Sequence, residues 1–238
     1  MDVILRRIIF GVIIVVVLYL LYIHFIADHQ VKTLVKMHDA HKKFTIDYGE
    51  LPGGNAASYS YTMWLYVNDW NYGFAENKVI FRRKVGANEK SPIEVSLGDK
   101  KNTLDVKVGY SGAGSTTTND LTMNCLVDNV PLQKWVCVAV VLNNTALDIY
   151  MDGKLVKTCI VPGVSNPVPQ SNIEIAPGGG YSGYIANFRY YARPINPRDA
   201  YEIYKDGHTG SMFGDIFGRY RLKFTFLADN KEVNSLEI

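Results

Sequence analysis

What this sequence lacks first is an excess of either charge. Lys+Arg 25 against Asp+Glu 23 leaves a net +2 over 238 residues, without the strongly basic domain or stripe that a nucleic-acid binder carries. Cysteine is scarce as well, and three in a chain of this length do not form a disulfide framework. With 20 Gly and 9 Pro, the chain has too little of either for a fibrous or low-complexity protein. The small-residue stretch Gly112-Ala113-Gly114-Ser115-Thr116 has no following Gly-Lys-Ser/Thr, so it is not a phosphate-cradling loop. Apolar residues are plentiful at 47%, which excludes a disordered chain. They are unevenly spread.

From Ile8 to Ala27 the chain reads IIFGVIIVVVLYLLYIHFIA, 20 positions without Asp, Glu, Lys or Arg. An α-helix of that length spans about 30 Å, the thickness of a bilayer's hydrocarbon core. The run is too long for the apolar part of a signal peptide, and Phe25-Ile26-Ala27-Asp28 is no small-x-small cleavage site. Residues 1–27 are therefore expected to be a transmembrane anchor, with the lipid bilayer as partner of residues 8–27. Val31, Leu34, Val35 and His38 then recur at the spacing of one helix face, which predicts an amphipathic helical stalk over 28–43. Residues 1–43 carry Arg6, Arg7, Lys32, Lys36, Lys42 and Lys43 against Asp2, Asp28 and Asp39, net +3, so the remaining residues carry net −1. Counting Lys and Arg around the apolar run favours the large domain on the cytosolic side, and the odd cysteine count agrees. The glycosylation sequon Asn143-Asn144-Thr145 stands against it.

Period-2 alternation takes over from Tyr59. Tyr59, Tyr61, Met63, Leu65 and Val67 share one face, then Ile93, Val95 and Leu97, then Leu104, Val106, Val108 and Tyr110. After the polar stretch 111–120, expected to be a loop, Leu121, Met123, Cys125 and Val127 resume the pattern. Trp135 to Leu142 is apolar on both faces, which suits a strand buried inside a sandwich. Asp152-Gly153 is a strong hairpin turn between Leu147–Met151 and Lys154–Val161. One short helix is signalled by Asn196 as cap, Pro197 at the first position and Gly207 as stop. The expected fold is all-β, a two-sheet antiparallel sandwich over 44–207, preceded by a single transmembrane helix. Residues 208–238 follow as an apolar and basic hairpin extension. Met212, Phe213, Ile216, Phe217, Arg219, Arg221 and Lys223 are its candidate partner-docking residues.

The segments Leu132–Val141 and Leu147–Val156 resemble the central hairpin of laminin-G-like domains, which belong to the concanavalin A-like lectin/glucanase jelly rolls. Gly183–Tyr191 followed by Pro194–Tyr204 is similar to that family's closing strand and short terminal helix, and Tyr59–Val67 with Trp64 to its early buried strand. The resemblance implies a jelly roll. It does not imply hydrolysis, because the family's glucanases carry Glu-x-Asp-x-Glu on one strand and no such triplet occurs here. No catalytic residue, cofactor or metal is expected. Loop aromatics that could stack on sugar rings or meet a partner are Trp70, Tyr72, Tyr181 and Tyr184. The layout of anchor, stalk, laminin-G-like domain and tail also resembles membrane-associated virion proteins of large DNA viruses. That resemblance implies a non-catalytic structural or docking protein between an internal membrane and a capsid shell, its partners other structural or capsid proteins. A membrane-anchored lectin is the alternative.

Three motifs invite other readings. Gly178-x-Gly180-x-x-Gly183 matches a dinucleotide fingerprint but precedes a β-like segment, so a loop is expected. His38-x-x-His41 lacks companion ligands for a metal. Cys125, Cys137 and Cys159 all fall on strand-like segments and are expected to be reduced core residues, with a 137–159 bridge left open.

Overall fold

The computed structural model describes residues 3–25, 30–53, 58–84, 91–111, 121–165, 171–209, 223–228 and 231–237. The chain opens with α1 (Val3–Phe25), whose apolar side chains stand exposed from Ile9 to Leu21. The stretch of α1 described continuously with its side chains, 9–21, is shorter than a bilayer crossing. Among the described residues no helix is both long and apolar enough to cross a membrane.

A run of strands follows: β1 (Val31–Asp39), β2 (Phe44–Ile46), β3 (Tyr59–Asp69), β4 (Lys78–Lys84), β5 (Ile93–Leu97), β6 (Leu104–Ser111), β7 (Leu121–Val127), β8 (Trp135–Asn143), β9 (Ala146–Met151), β10 (Lys154–Ile160), β11 (Val164–Ser165), β12 (Asn172–Ile175) and β13 (Ser182–Tyr191). After them come α2 (Pro197–Asp206) and a separate hairpin of β14 (Lys223–Ala228) and β15 (Lys231–Glu237). One sheet runs β1-β13-β3-β8-β9-β10, and the other β11-β6-β5-β4-β12-β2 with β7 also on β6. All the pairings are antiparallel.

The sandwich agrees with the expected fold class, but it starts earlier than residue 44. The predicted helical stalk is a strand: Val31–Asp39 pairs with β13 as the edge of the first sheet. A bulge between Thr33 and Val35 explains the helix-like spacing. The extra residue shifts the side-chain phase, so Val31 packs on the outer face of the sheet while Leu34 and Val35 reach the inner core. β-branched Val31, Thr33 and Val35 suit such a strand.

The inner core lies between the sheets. Tyr59, Tyr61, Met63, Leu65 and Val67 of β3 meet Ile80 and Phe81 of β4, Val95 of β5 and Val106 of β6 there. A second apolar layer covers the outer face of the first sheet, where Ala200 and Ile203 of α2 pack with Trp64, Cys137, Ala139, Val141 and Tyr150. This layer is why Trp135–Leu142 has no polar face: one side meets the opposite sheet and the other meets α2. α2 is held by a capping box, Asn196 Oδ1 accepting from the Asp199 N–H at 2.9 Å while Asp199 Oδ2 accepts from the Asn196 N–H at 3.3 Å.

The cysteines depart from expectation. Cys125 on β7 and Cys159 on β10 form a disulfide that ties an edge strand of one sheet to an edge strand of the other. The alternative 137–159 bridge does not form, because Cys137 lies in the outer layer beneath α2 whereas Cys159 packs on the inner core.

The register also gives the sandwich two distinct ends. Val31, Ser60 and Tyr191 align across β1, β13 and β3, and Tyr59 pairs with Leu142 beside Asn143. The chain thus enters the sandwich at the end holding Tyr59 and Asn143. Asp39, Asp69 and Trp135 lie at the other, as Tyr184 pairs with Asp39 and Tyr66, and Tyr66 with Trp135. Eleven residues of β3 separate the ends by roughly 35 Å at about 3.3 Å each.

Candidate functional site

The end remote from the chain's entry carries a concavity. Three connections meet there: the turn after β3 with Trp70, the β5–β6 turn from Gly98 to Thr103, and the β7–β8 connection from Asp128 to Leu132. Local hydrogen bonds hold these turns together. The Gly98 N–H donates to Thr103 O at 2.8 Å, and the Ala75 N–H to Asp99 O at 3.1 Å. The Val130 N–H donates to Asn102 O at 2.7 Å, and Asn102 Nδ2 returns a bond to Val130 O at 3.2 Å. Gly98 is required in this turn, since a Cβ there would lie 2.3 Å from Thr103 Oγ1.

Between the turns lie two adjoining hollows. One, about 680 Å³, is lined by Trp70, Asn102, Asn129 and Leu132. The other, about 720 Å³, is lined by Asn77, Ser96, Asp105, Lys107 and Leu126. Lys100, Lys101, Thr103 and Asp128 border both, so they make one groove. Its wall mixes hydroxyls, amides and charges of both signs with a single indole.

Trp70 is half-buried, its ring packed against the inner core and covered by Lys78 Nζ at 4.7 Å from the ring centre. The same Nζ donates to Asp99 O at 3.3 Å. Burial lowers the Lys78 pKa from 10.5, against the opposing charges of Asp99 and Glu76. The Trp70 Nε1 atom is buried without a hydrogen-bond partner among the described residues. What the indole presents to the groove is therefore carbon. Asp105 is the other tuned group. Burial raises its carboxyl above the ordinary 3.8, Lys107 opposes and Glu94 adds to the rise, and its Oδ1 has no partner among the described residues. Such a wall can accept and donate hydrogen bonds to a polyhydroxylated ligand, with indole carbon beside them.

The remaining predicted aromatics do not join this groove. Tyr72 is exposed, but its hydroxyl donates to Gly179 O at 3.3 Å and its ring meets His41 edge-on at 4.6 Å. Tyr184 is exposed on β13. Tyr181 is corrected: it is fully buried in the inner core, and its hydroxyl donates to Tyr184 O at 2.9 Å. Its neighbour Gly180 sits too close to Ala40 O for any Cβ, at 2.1 Å, and a Cβ on Gly183 would meet Tyr66 O. Gly180 and Gly183 of the dinucleotide-like motif thus serve close backbone packing, whereas Gly178 has open space beside it and is set by its positive φ of 75.

The tail residues Met212, Phe213, Ile216, Phe217, Arg219 and Arg221 lie outside the described residues, while Lys223 opens β14. His38 and His41 contact Lys42 O at 2.6 Å and Asp39 Oδ1 at 2.8 Å. No group of three metal-ligating side chains occurs among the described residues. On β9 and the turn after it, Asp148 accepts from the Thr158 hydroxyl at 2.6 Å and Asp152 from the Cys137 N–H at 3.0 Å. Lys100, Lys101, Asn102, Thr103, Asp128 and Asn129 were not legible as a site, because only the sandwich topology brings their two turns to Trp70.

Residues 41–200 match the family model described as the concanavalin A-like lectin/glucanases superfamily. No curated protein sequence matches the chain. Among solved structures, the botulinum neurotoxin serotype D ligand-binding domain in complex with N-acetylneuraminic acid is similar at a TM-score of 0.57 and 11% identity, over 74% of this chain and 46% of that one. The serotype G binding domain is similar at 0.53 and 13%, over 76% and 48%. The serotype DC binding domain in complex with rat synaptotagmin II is similar at 0.50 and 16%, over 74% and 46%. The chain spans about half the length of these structures, and the likeness is one of fold.

Proposed function

The chain belongs to the concanavalin A-like lectin/glucanases superfamily, and on that footing we propose that its sandwich is a non-catalytic, membrane-tethered recognition module that binds glycan in the Trp70 groove. The observation that carries this reading is the groove itself, with its carbon-presenting indole set among amides, hydroxyls and charges of both signs. A sugar ring offers the complement, an apolar face with hydroxyls around its rim. Placement supports the reading. The 20-residue apolar run from Ile8 to Ala27 is the proposed anchor, and it leads into the sandwich at Val31. The groove opens at the far end, facing away from the tether. One of the similar solved structures holds N-acetylneuraminic acid, which accords with this reading, while another was solved with rat synaptotagmin II.

A glycan array probed with the full chain in detergent tests this. Wild type retains defined glycans, and Trp70→Ala weakens them about tenfold or more, the loss of roughly 1.4 kcal/mol of stacking. Equal binding by wild type and Trp70→Ala refutes the assignment.

A second reading, docking to a structural protein of a capsid shell, has one observation in its favour. Leu121 and Leu126 on β7, with Leu155, Val156 and Ile160 on β10, are exposed along the open edge of the sandwich. Copurification of a shell protein that Leu126→Lys with Ile160→Lys abolishes would favour it over the glycan.

A further inference from the structure

We infer that Asn143 is N-glycosylated, and that the sandwich therefore lies on the oxidising, non-cytosolic side of the membrane. The orientation rests on the anchor proposed above; the glycan site does not.

Three independent observations converge. The first is the sequon Asn143-Asn144-Thr145, which is the chain's one Asn-x-Ser/Thr. It occupies the tight turn between β8 and β9, and all three of its residues are exposed. Asn144 takes the left-handed conformation at φ 54. Its N–H donates to Ser58 Oγ at 3.1 Å, and its own Oδ1 accepts from that hydroxyl at 3.4 Å. The turn is thus held through its middle residue, and the Asn143 side chain makes no hydrogen bond among the described residues. An oligosaccharide on Asn143 disturbs no packing. It also stands at the end of the sandwich where the chain enters, about 35 Å from the groove by the length of β3, so it leaves the groove clear.

The second observation is the Cys125–Cys159 disulfide. Such bonds form and persist in oxidising compartments and are rare in the cytosol. The third is charge. Arg6 and Arg7 directly precede the apolar run, and Asp28 directly follows it. Lys32, Lys36, Lys42 and Lys43, which tilted the count the other way, belong to the folded domain, where Lys32 pairs with Glu50 at 3.6 Å, Lys42 with Asp39 at 3.5 Å and Lys43 with Glu174 at 2.8 Å. Folded domains translocate largely regardless of charge.

The chemistry balances with co-reactants of that compartment. Asn143 Nδ2 forms a C–N bond to the anomeric carbon of a lipid-linked oligosaccharide, losing one proton as the lipid diphosphate leaves. The Cys125 and Cys159 thiols lose two protons and two electrons to an oxidant's disulfide, which becomes a dithiol.

The test expresses the full chain in eukaryotic cells. Treatment with peptide N-glycosidase shifts wild type down by one oligosaccharide, whereas Asn143→Gln and Thr145→Ala already migrate at the shifted position. In sealed microsomes the sandwich resists added protease and becomes sensitive on detergent lysis. Wild type that ignores the glycosidase, with its sandwich digested from outside the vesicles, overturns the inference. A glycosidase-sensitive protein released by carbonate upholds the Asn143 site and overturns the anchor instead. Neither result depends on Trp70, so failure here and failure of the glycan-binding reading are separable.

Discussion

Removing the Cys125–Cys159 bridge tests how the sandwich is closed. The bond links residues separated by 34 in sequence, and a loop of that size restricts the unfolded chain by roughly 3.8 kcal/mol at 25 °C. Reduction removes no heavy atom from the fold, so the loss acts mainly through the unfolded ensemble. The double substitution Cys125→Ala with Cys159→Ala adds a cavity at Cys125, which is fully buried, for about 1 kcal/mol more. The expected loss is thus about 4 kcal/mol on reduction and about 5 kcal/mol for the double variant. Each is a large share of the roughly 5–15 kcal/mol that holds a domain. At about 2–4 °C per kcal/mol, the melting temperature falls by roughly 8–16 °C on reduction. The assay is urea unfolding of the full chain in detergent, followed by tryptophan fluorescence with and without reductant. The urea dependence supplies a second signature, because a reduced chain unfolds to a more expanded ensemble and its slope rises. Oxidised and reduced proteins that unfold within about 0.5 kcal/mol of each other, at equal slope, would refute the reasoning.

Glu174 on β12 is buried and joins Lys43 at 2.8 Å, Arg82 at 2.8 Å and Lys84 at 3.8 Å, tying β2, β4 and β12. Burial alone would raise its carboxyl, but hydrogen bonds from Lys43 and Arg82 outweigh it and hold the pKa below 4.5. Because the folded value is depressed, this stabilisation is present above the unfolded carboxylate pKa and is lost as pH falls through the lower folded one. Glu174→Gln is expected to cost about 1.5–3 kcal/mol at neutral pH, with the gap to wild type closing in acid; a gap constant from pH 7 to pH 3 contradicts it. Cys137 is buried beneath α2, and burial, with Asp152 adding, pushes its thiol up to about 12. It should resist alkylation at pH 8 in the folded protein and react on unfolding, giving one thiol per oxidised chain; three would break the cysteine assignment.

Most strands were legible because their faces differ. β3, β5, β6, β7 and β9 each alternate, and α2 announces itself through Asn196, Pro197 and Gly207. β4 escaped notice for a physical reason: Lys78-Val79-Ile80-Phe81-Arg82-Arg83-Lys84 looks like a charged loop, yet Lys78 and Arg83 are buried beside Val79, Ile80 and Phe81. Lys78 lies over Trp70, and Arg83 Nε donates to Ser171 Oγ at 2.9 Å. β1 escaped because its bulge gives a strand the spacing of a helix. The disulfide joins edges of different sheets, a pairing set by topology alone. Of the four aromatics, only Trp70 lines the groove, and nothing local distinguishes it from buried Tyr181.

The correction at β1 changes the functional geometry more than the fold. A helical stalk would have let the sandwich swing at a distance from its anchor. With Val31–Asp39 built into the first sheet, only three residues, 28–30, separate the strand from the apolar run in sequence. On the anchor proposed above, the end bearing Val31, Tyr59 and Asn143 is the one nearer the tether, and the end bearing Trp70, Lys100 and Asp128 is the remote one. Length along β3 becomes reach, roughly 35 Å of it. On the anchor and the Asn143 glycan proposed above, a ligand on an opposing surface would meet the groove first, and the oligosaccharide would stand at the opposite end without competing for it. A partner that instead docks along the β7–β10 edge must approach from the side. The two modes of recognition are thus distinguishable by direction as well as by chemistry.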